Sequence, residues 1–250
     1  MRSPHAGLPV PIDRVTRILA QLASTGSAGD AGTGRLCAVA ADVTELSGAG
    51  IMLMVGNQPH TSVCTTGGVS ALIEELQYTL GEGPCVDAYR LGRPVLEPDL
   101  GAPSEARWPA FTQPAVAGGA RAVFGFPMSV GAVRLGALNL YRDRPGPLTT
   151  EQLADAEIVA AVAGRALITM QTGAHPGTLG VELEAGSNLR LVVHQATGMV
   201  AEQLGITVTE ALIRLRAYAF TQGRPLTDIA NDVVTRGFRF SPTGGDSPDP

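Results

Sequence analysis

Lysine is absent from this 250-residue sequence, and all 18 basic side chains are arginine. The absence excludes catalysis through a Schiff-base lysine and nucleotide binding through a phosphate-loop lysine. Cysteine is scarce: Cys37, Cys64 and Cys85 sit at wide spacings, with no CxxC pair and no histidine cluster beside them. That pattern holds no structural zinc or other metal, and an odd, sparse count suits a reducing cytosol in which thiols stay free. Long apolar runs are missing too, since Arg165 interrupts 158–170 and Arg121, with Gly and Pro, interrupts 115–133. No membrane span is therefore expected, and the chain reads as cytoplasmic. Residues 1–11 carry one Arg and several Pro and Gly but no apolar stretch, so they read as a disordered tail and not as a secretory signal. A basic excess is also lacking. The 18 basic residues face 23 acidic ones, for a net charge of −5, which excludes a uniformly basic nucleic-acid coat.

What is present is a globular composition, 44% hydrophobic, in a chain long enough for two modest domains. Helical spacing of Ile12, Val15, Ile18, Leu19 and Leu22 predicts a first helix, and an Ala-rich periodic segment over 36–46 a second. Glycine-bounded apolar residues 50–56, followed by Asn57-Gln58-Pro59 and residues 60–65, predict a hairpin. A helix over 72–80 stops at Gly81, and another begins near Pro84. Residues 93–97 read as a short edge strand, 108–117 as a helix, and 121–130 and 135–142 as two strands joined by a turn. Thr149 or Thr150 caps a long helix reaching Met170. The order implies an α+β sandwich, an antiparallel sheet flanked by helices, over residues 12–172. Gly and Pro at 173–177 open a linker running to 187, and residues 188–240 then read as a three-helix, all-α bundle. In that bundle Thr207 or Thr209 opens the second helix and Pro225 or Thr227 the third. Residues 241–250 read as a second disordered tail.

Three segments in the first half, Gly81-Glu82-Gly83-Pro84-Cys85-Val86-Asp87-Ala88, Arg107-Trp108-Pro109-Ala110-Phe111 and Gly136-Ala137-Leu138-Asn139-Leu140-Tyr141, together resemble GAF sensor domains of actinobacterial regulators. The second half resembles an ANTAR domain, through Ala196-Thr197-Gly198-Met199, Glu210-Ala211 with Leu215-Arg216 and Ala219, and Leu226-Thr227-Asp228-Ile229-Ala230 with Val233-Val234. The resemblance implies a sensor of a small molecule or of redox state coupled to an RNA-binding antitermination module. It implies no cofactor and no catalysis. Thr197 stands where many ANTAR sequences carry a lysine, so one cation toward phosphate is replaced.

On a helical wheel of the second bundle helix, Val208, Ala211, Leu212, Leu215 and Ala219 form the core face. Arg214 and Tyr218 share one flank, and Ile213, Arg216 and Phe220 the other. An Arg beside a Tyr can hold a phosphate and stack an unpaired loop base, and the same pair fits a solvated Arg over a half-buried Tyr. Arg214, Tyr218, Arg216, Arg224 and Thr197 are the candidate RNA contacts. Over 187–240 six arginines face four acidic residues, a local excess of +2. Gly198, at a helix interior position where glycine costs stability, points to close approach of another element. In the sensor half, the loop with Glu82 and the helix-start Cys85, with Cys64 on a strand, is the candidate ligand pocket or redox site; at a helix N-terminus a thiolate is favoured. For all three cysteines a buried, inert side chain is the competing reading.

RNA stem-loops, a second copy of the chain and an unidentified small molecule are the expected partners. Two other functions fit: a thiol-based GAF enzyme acting on a small sulfoxide, and a signalling protein whose helical bundle binds a protein.

Overall fold

The computed structural model describes residues 12–24, 33–56, 58–102, 107–173, 188–235 and 238–241. The expected tails and most of the expected linker lie outside the described residues. The chain divides into two compact units, residues 1–174 and 175–250.

The first unit opens with α1 (Ile12–Ser24) and α2 (Gly34–Thr44), followed by the hairpin β1 (Gly48–Val55) and β2 (Gln58–Thr65). Next come α3 (Gly68–Leu80), α4 (Pro84–Leu91), β3 (Val95–Glu97) and α5 (Pro109–Ala117). A second hairpin, β4 (Ala122–Val130) and β5 (Val133–Arg142), leads into α6 (Thr150–Gly173). The five strands form one antiparallel sheet in the order β2-β1-β5-β4-β3. Short β3 is an edge strand, immediately after Pro94, which has no amide hydrogen to give to a ladder.

Most of β1, β4 and β5 is buried on both faces. Strands covered from one side alternate apolar and polar; these read as continuous apolar runs because helices lie on either side. Register identifies the layers. Gly50 of β1 abuts Glu74 of α3, and Gly125 of β4 abuts Pro84 and Cys85 at the start of α4. Both are cross-strand partners of Asn139, so α3 and α4 share a face. Met128, an odd number of residues from Gly125, packs near Gly164 of α6 on the opposite face.

Local chemistry sets the helix ends. Thr149 and Gln152 exchange hydrogen bonds at the start of α6, the Thr149 hydroxyl accepting from the Gln152 amide and the Gln152 side chain accepting from the Thr149 amide, each at 3.1 Å. Gly81 ends α3 with φ 68°, a left-handed conformation that suits a residue without Cβ, and donates to the Gln77 carbonyl.

The second unit contains α7 (Asn188–Leu204), α8 (Val208–Gln222) and α9 (Leu226–Val234). Thr207 opens α8 with a capping box. Its hydroxyl accepts from the Glu210 amide, and the Glu210 carboxylate accepts from the Thr207 backbone N–H and hydroxyl, which holds that carboxyl below its usual pKa. Pro225 precedes α9. Small residues fill much of the core, with Ala196, Ala211, Ala219 and Ala230 packed among Val193, Val200, Leu215, Leu226, Ile229 and Val233. Val208, expected in this core, is instead exposed, because it begins α8 where no neighbouring helix covers its side.

Candidate ligand pocket and RNA interface

In the sensor half, Cys85 is fully buried rather than poised at a surface. Its backbone N–H donates to Gln77 Oε1 at 2.7 Å, tying the start of α4 to α3. Burial pushes the thiol well above its ordinary pKa, and the nearby Glu74 carboxylate adds to the rise, against a smaller opposing contribution from the Gln77 side chain. The expected thiolate is thereby overturned: desolvation outweighs the helix N-terminus. Cys85 remains a free thiol, whereas Cys64 does not. It is joined to Cys37 by a disulfide linking β2 to α2, which corrects the expectation of three free cysteines.

Glu82, expected to line a pocket, caps a helix. Its Oε1 accepts from the amides of Ala110 and Phe111 at 2.8 and 2.9 Å, satisfying two orphan donors at the start of α5, where Trp108 offers no side-chain cap. Trp108 in turn donates from Nε1 to Asp87 at 2.9 Å and packs edge-on against Phe111. The segment from Gly81 to Asp87 is thus fastened to α5 at both ends.

Behind this clasp lies a polar layer that sequence reasoning did not single out. Asn139 sits mid-strand in β5, completely buried, and neither side-chain polar atom has a hydrogen-bond partner among the described residues. Its cross-strand partners are Gly50 on one side and Gly125 on the other. The Glu74 side chain fills the space beside Gly50, and the Pro84–Cys85 backbone fills the space beside Gly125, in a layer that also holds buried Gln77 and Cys85. Leaving a buried amide unmatched costs about 1–3 kcal/mol. The sequence signal was a lone Asn within an apolar strand, but its glycine flanks become visible only through strand register. Among the described residues, no three His, Cys, Asp or Glu side chains gather as a metal site.

In the second unit the candidate RNA contacts separate. Arg214 is exposed on α8. Tyr218 is half-buried in an aromatic cluster, 4.7 Å from Phe238 and 5.4 Å from Phe240 between ring centres, so its ring is committed to packing. Arg216, expected on the opposite flank, is buried. Thr197, expected to face RNA, is also buried and donates to the Val193 carbonyl at 2.6 Å, one helical turn back. Arg224 is exposed but pairs with Asp232 at 2.8 Å. Gly198 faces open space, with nothing within 4 Å of where a Cβ would stand. Ile213 and Phe220, two turns apart on α8, are exposed, Phe220 by 62%.

Residues 33–168 match the GAF domain family and residues 182–234 the ANTAR domain family. The chain belongs to the GAF family and carries a C-terminal ANTAR domain. GAF domains are signal-sensing modules and ANTAR domains RNA-binding modules of antitermination, an architecture typical of regulatory proteins. Among solved structures, the GAF–ANTAR chain is similar to the GAF domain of a phosphoenolpyruvate-protein phosphotransferase from Coxiella burnetii, at 13% identity and TM-score 0.48, covering 64% of this chain and 94% of that one. The GAF domain of the corresponding Acinetobacter protein is similar at 14% identity and TM-score 0.45, covering 64% and 94%. A free methionine-R-sulfoxide reductase from Thermoplasma acidophilum is similar at 14% identity and TM-score 0.36, covering 48% and 78%. No curated protein sequence matches the chain significantly. Among the described residues, no helix is long and apolar enough to cross a membrane.

Proposed function

We propose that this GAF–ANTAR protein is a non-catalytic transcription antitermination regulator that binds RNA stem-loops as a homodimer and is controlled through its GAF domain. The observation that carries the reading is the joining, in one chain, of a complete GAF sheet sandwich and a packed three-helix ANTAR unit. Exposed Arg214 is the proposed phosphate contact, and Tyr218 contributes by holding the shape of the unit. The GAF signal in this reading is a small molecule. A mobility-shift titration of the full chain with a stem-loop RNA pool tests it. Binding is expected to weaken steeply between 50 and 200 mM salt, by an amount set by the number of phosphates contacted. No shift with any hairpin at low salt would overturn it.

The disulfide between Cys37 and Cys64 favours a second form of control, by redox state. In it a dithiol reductant gives two electrons and two protons to the sulfur–sulfur bond, which opens to two thiols while the reductant becomes a disulfide. α2, which packs on β1, β2 and α6, then loses its covalent tie to the sheet edge. RNA affinity that is equal in oxidised and reduced protein would remove this form. The sulfoxide-reducing alternative is disfavoured by the burial and raised pKa of Cys85.

A further inference from the structure

Helix α8 carries two apolar stripes. One, made of Ala211, Leu215 and Ala219, is buried in the three-helix core, and Tyr218 beside it packs on Phe238 and Phe240. The other faces outward: Ile213 is 52% and Phe220 62% exposed, and Ala217 between them is exposed as well. Glu210 precedes these three and Arg224 follows just past the helix end, so positions 210, 213, 217, 220 and 224 recur at intervals of three, four, three and four. That alternation keeps side chains on one seam of a helix lying along another helix. A single exposed phenylalanine needs no explanation, whereas an apolar seam with a charge at either end has the form of a helix–helix contact.

We infer that the outer stripe of α8 packs antiparallel against the same stripe of a second copy of this chain. This surface deepens the proposed homodimer and rests on it. The stripe is its own complement about a two-fold axis, as a symmetric dimer requires. With the axis just before Ala217, the two small side chains meet at the centre and let the helices approach, while Ile213 of each copy lies level with Phe220 of the other. The ends then match in charge, since Glu210 of each copy comes nearly level with Arg224 of the other. Both groups have capacity for this. Thr207 uses only Oε2 of the Glu210 carboxylate, and Arg224 gives Nη1 to Asp232 at 2.8 Å, which leaves the rest of its five-donor fork for a second carboxylate. Parallel pairing sets Glu210 against Glu210 and Arg214 against Arg214, and like charges repel. The Glu210 carboxylate also makes the stripe a poor seat for an RNA phosphate.

The test is cysteine cross-linking in the full chain, where Cys37 and Cys64 are already joined and Cys85 is buried, so an added exposed cysteine supplies the reactive thiol. Under copper phenanthroline, Ala217→Cys is expected to cross-link to itself about tenfold faster than Asp228→Cys on the exposed face of α9, because pairing raises the local thiol concentration. Ile213→Cys and Phe220→Cys each fail to cross-link alone, since each lies about 10 Å along the axis from its own equivalent, but they cross-link when mixed. In sedimentation equilibrium Phe220→Glu, at an exposed position, weakens the dimer about tenfold with circular dichroism unchanged. Self-cross-linking of Ile213→Cys means parallel pairing and overturns the antiparallel contact. If the parent is a dimer but Ala217→Cys reacts no faster than Asp228→Cys, the copies meet elsewhere, and the homodimer stands without this surface. If the parent sediments as a monomer at every concentration, both fall together. A Phe220→Glu protein that dimerises like the parent but loses stem-loop binding assigns the stripe to RNA and overturns the contact.

Discussion

Gly125 gives the most direct test of how the sensor half is packed. A Cβ added there would overlap the Pro84 carbonyl oxygen and lie 2.6 Å from the Pro84 carbonyl carbon and 3.1 Å from the Cys85 nitrogen. All three are backbone atoms at the start of α4, so no side chain can swing aside, and the helix must lift from the sheet. Overpacking of this kind costs about 1–3 kcal/mol, and disturbing the Cys85–Gln77 hydrogen bond adds about 1 kcal/mol. Against this, replacing Gly by Ala returns about 0.4–1 kcal/mol through the unfolded chain. Gly125→Ala is therefore expected to destabilise the unit by about 2–3 kcal/mol, lowering its melting midpoint by roughly 4–12 °C for a domain of this size. The assay is tryptophan fluorescence during urea or thermal unfolding of the full chain. Trp108 is the single tryptophan and is buried in the GAF unit, so the signal reports that unit alone. Gly198→Ala, the same chemical change made in open space on a helix, serves as control and should stabilise the ANTAR unit by about 0.5–1 kcal/mol. A Gly125→Ala midpoint within about 0.5 kcal/mol of the parent would refute the close approach of α4 to β4.

Cys85 predicts an alkaline limit. Because its folded pKa lies above the unfolded one, its protonated form contributes stability that is complete below about pH 8.5 and is lost as pH rises beyond it; urea midpoints of the parent should fall more steeply above that pH than those of Cys85→Ala, and parallel profiles would contradict the burial. Reducing the Cys37–Cys64 disulfide, which closes a loop with sequence separation 27, should cost the GAF unit about 3–4 kcal/mol, read by Trp108 fluorescence with and without dithiothreitol; an unchanged midpoint would show that the bond does not brace the fold. Tyr218→Ala should lower the stability of the ANTAR unit by about 2–4 kcal/mol, read by far-ultraviolet circular dichroism, whereas Arg214→Ala should leave stability within about 0.5 kcal/mol and weaken RNA binding about five- to tenfold. A Tyr218→Ala protein as stable as the parent would mean the aromatic cluster does not anchor the 238–240 segment.

The sequence by itself determined the features written in local chemistry. Gly81 after α3, Pro84 opening α4, the turn at Gly131 and Ala132, and Thr207 with Glu210 opening α8 each depend on backbone preference or on a partner within four residues. The helix-rich second half and the combination of short segments that resembles GAF and ANTAR domains were legible for the same reason. Only the tertiary structure decided which surfaces were covered. A helical wheel places Val208 and Arg216 by angle, and the family resemblance alone turns Thr197 toward RNA, but neither specifies which side the neighbouring elements cover: Thr197 and Arg216 are buried and Val208 is left in solvent. Cys37 and Cys64 are separated by 27 residues, and their pairing depends on α2 lying across β2. Asn139 gains its two glycine flanks, Gly50 and Gly125, from strands distant in sequence and adjacent only in register. Local propensities act over a turn or two of chain, whereas burial, desolvation and cross-strand neighbours are fixed by residues a hundred positions away, and the chemistry of the buried Asn139 and Cys85 belongs to the second kind.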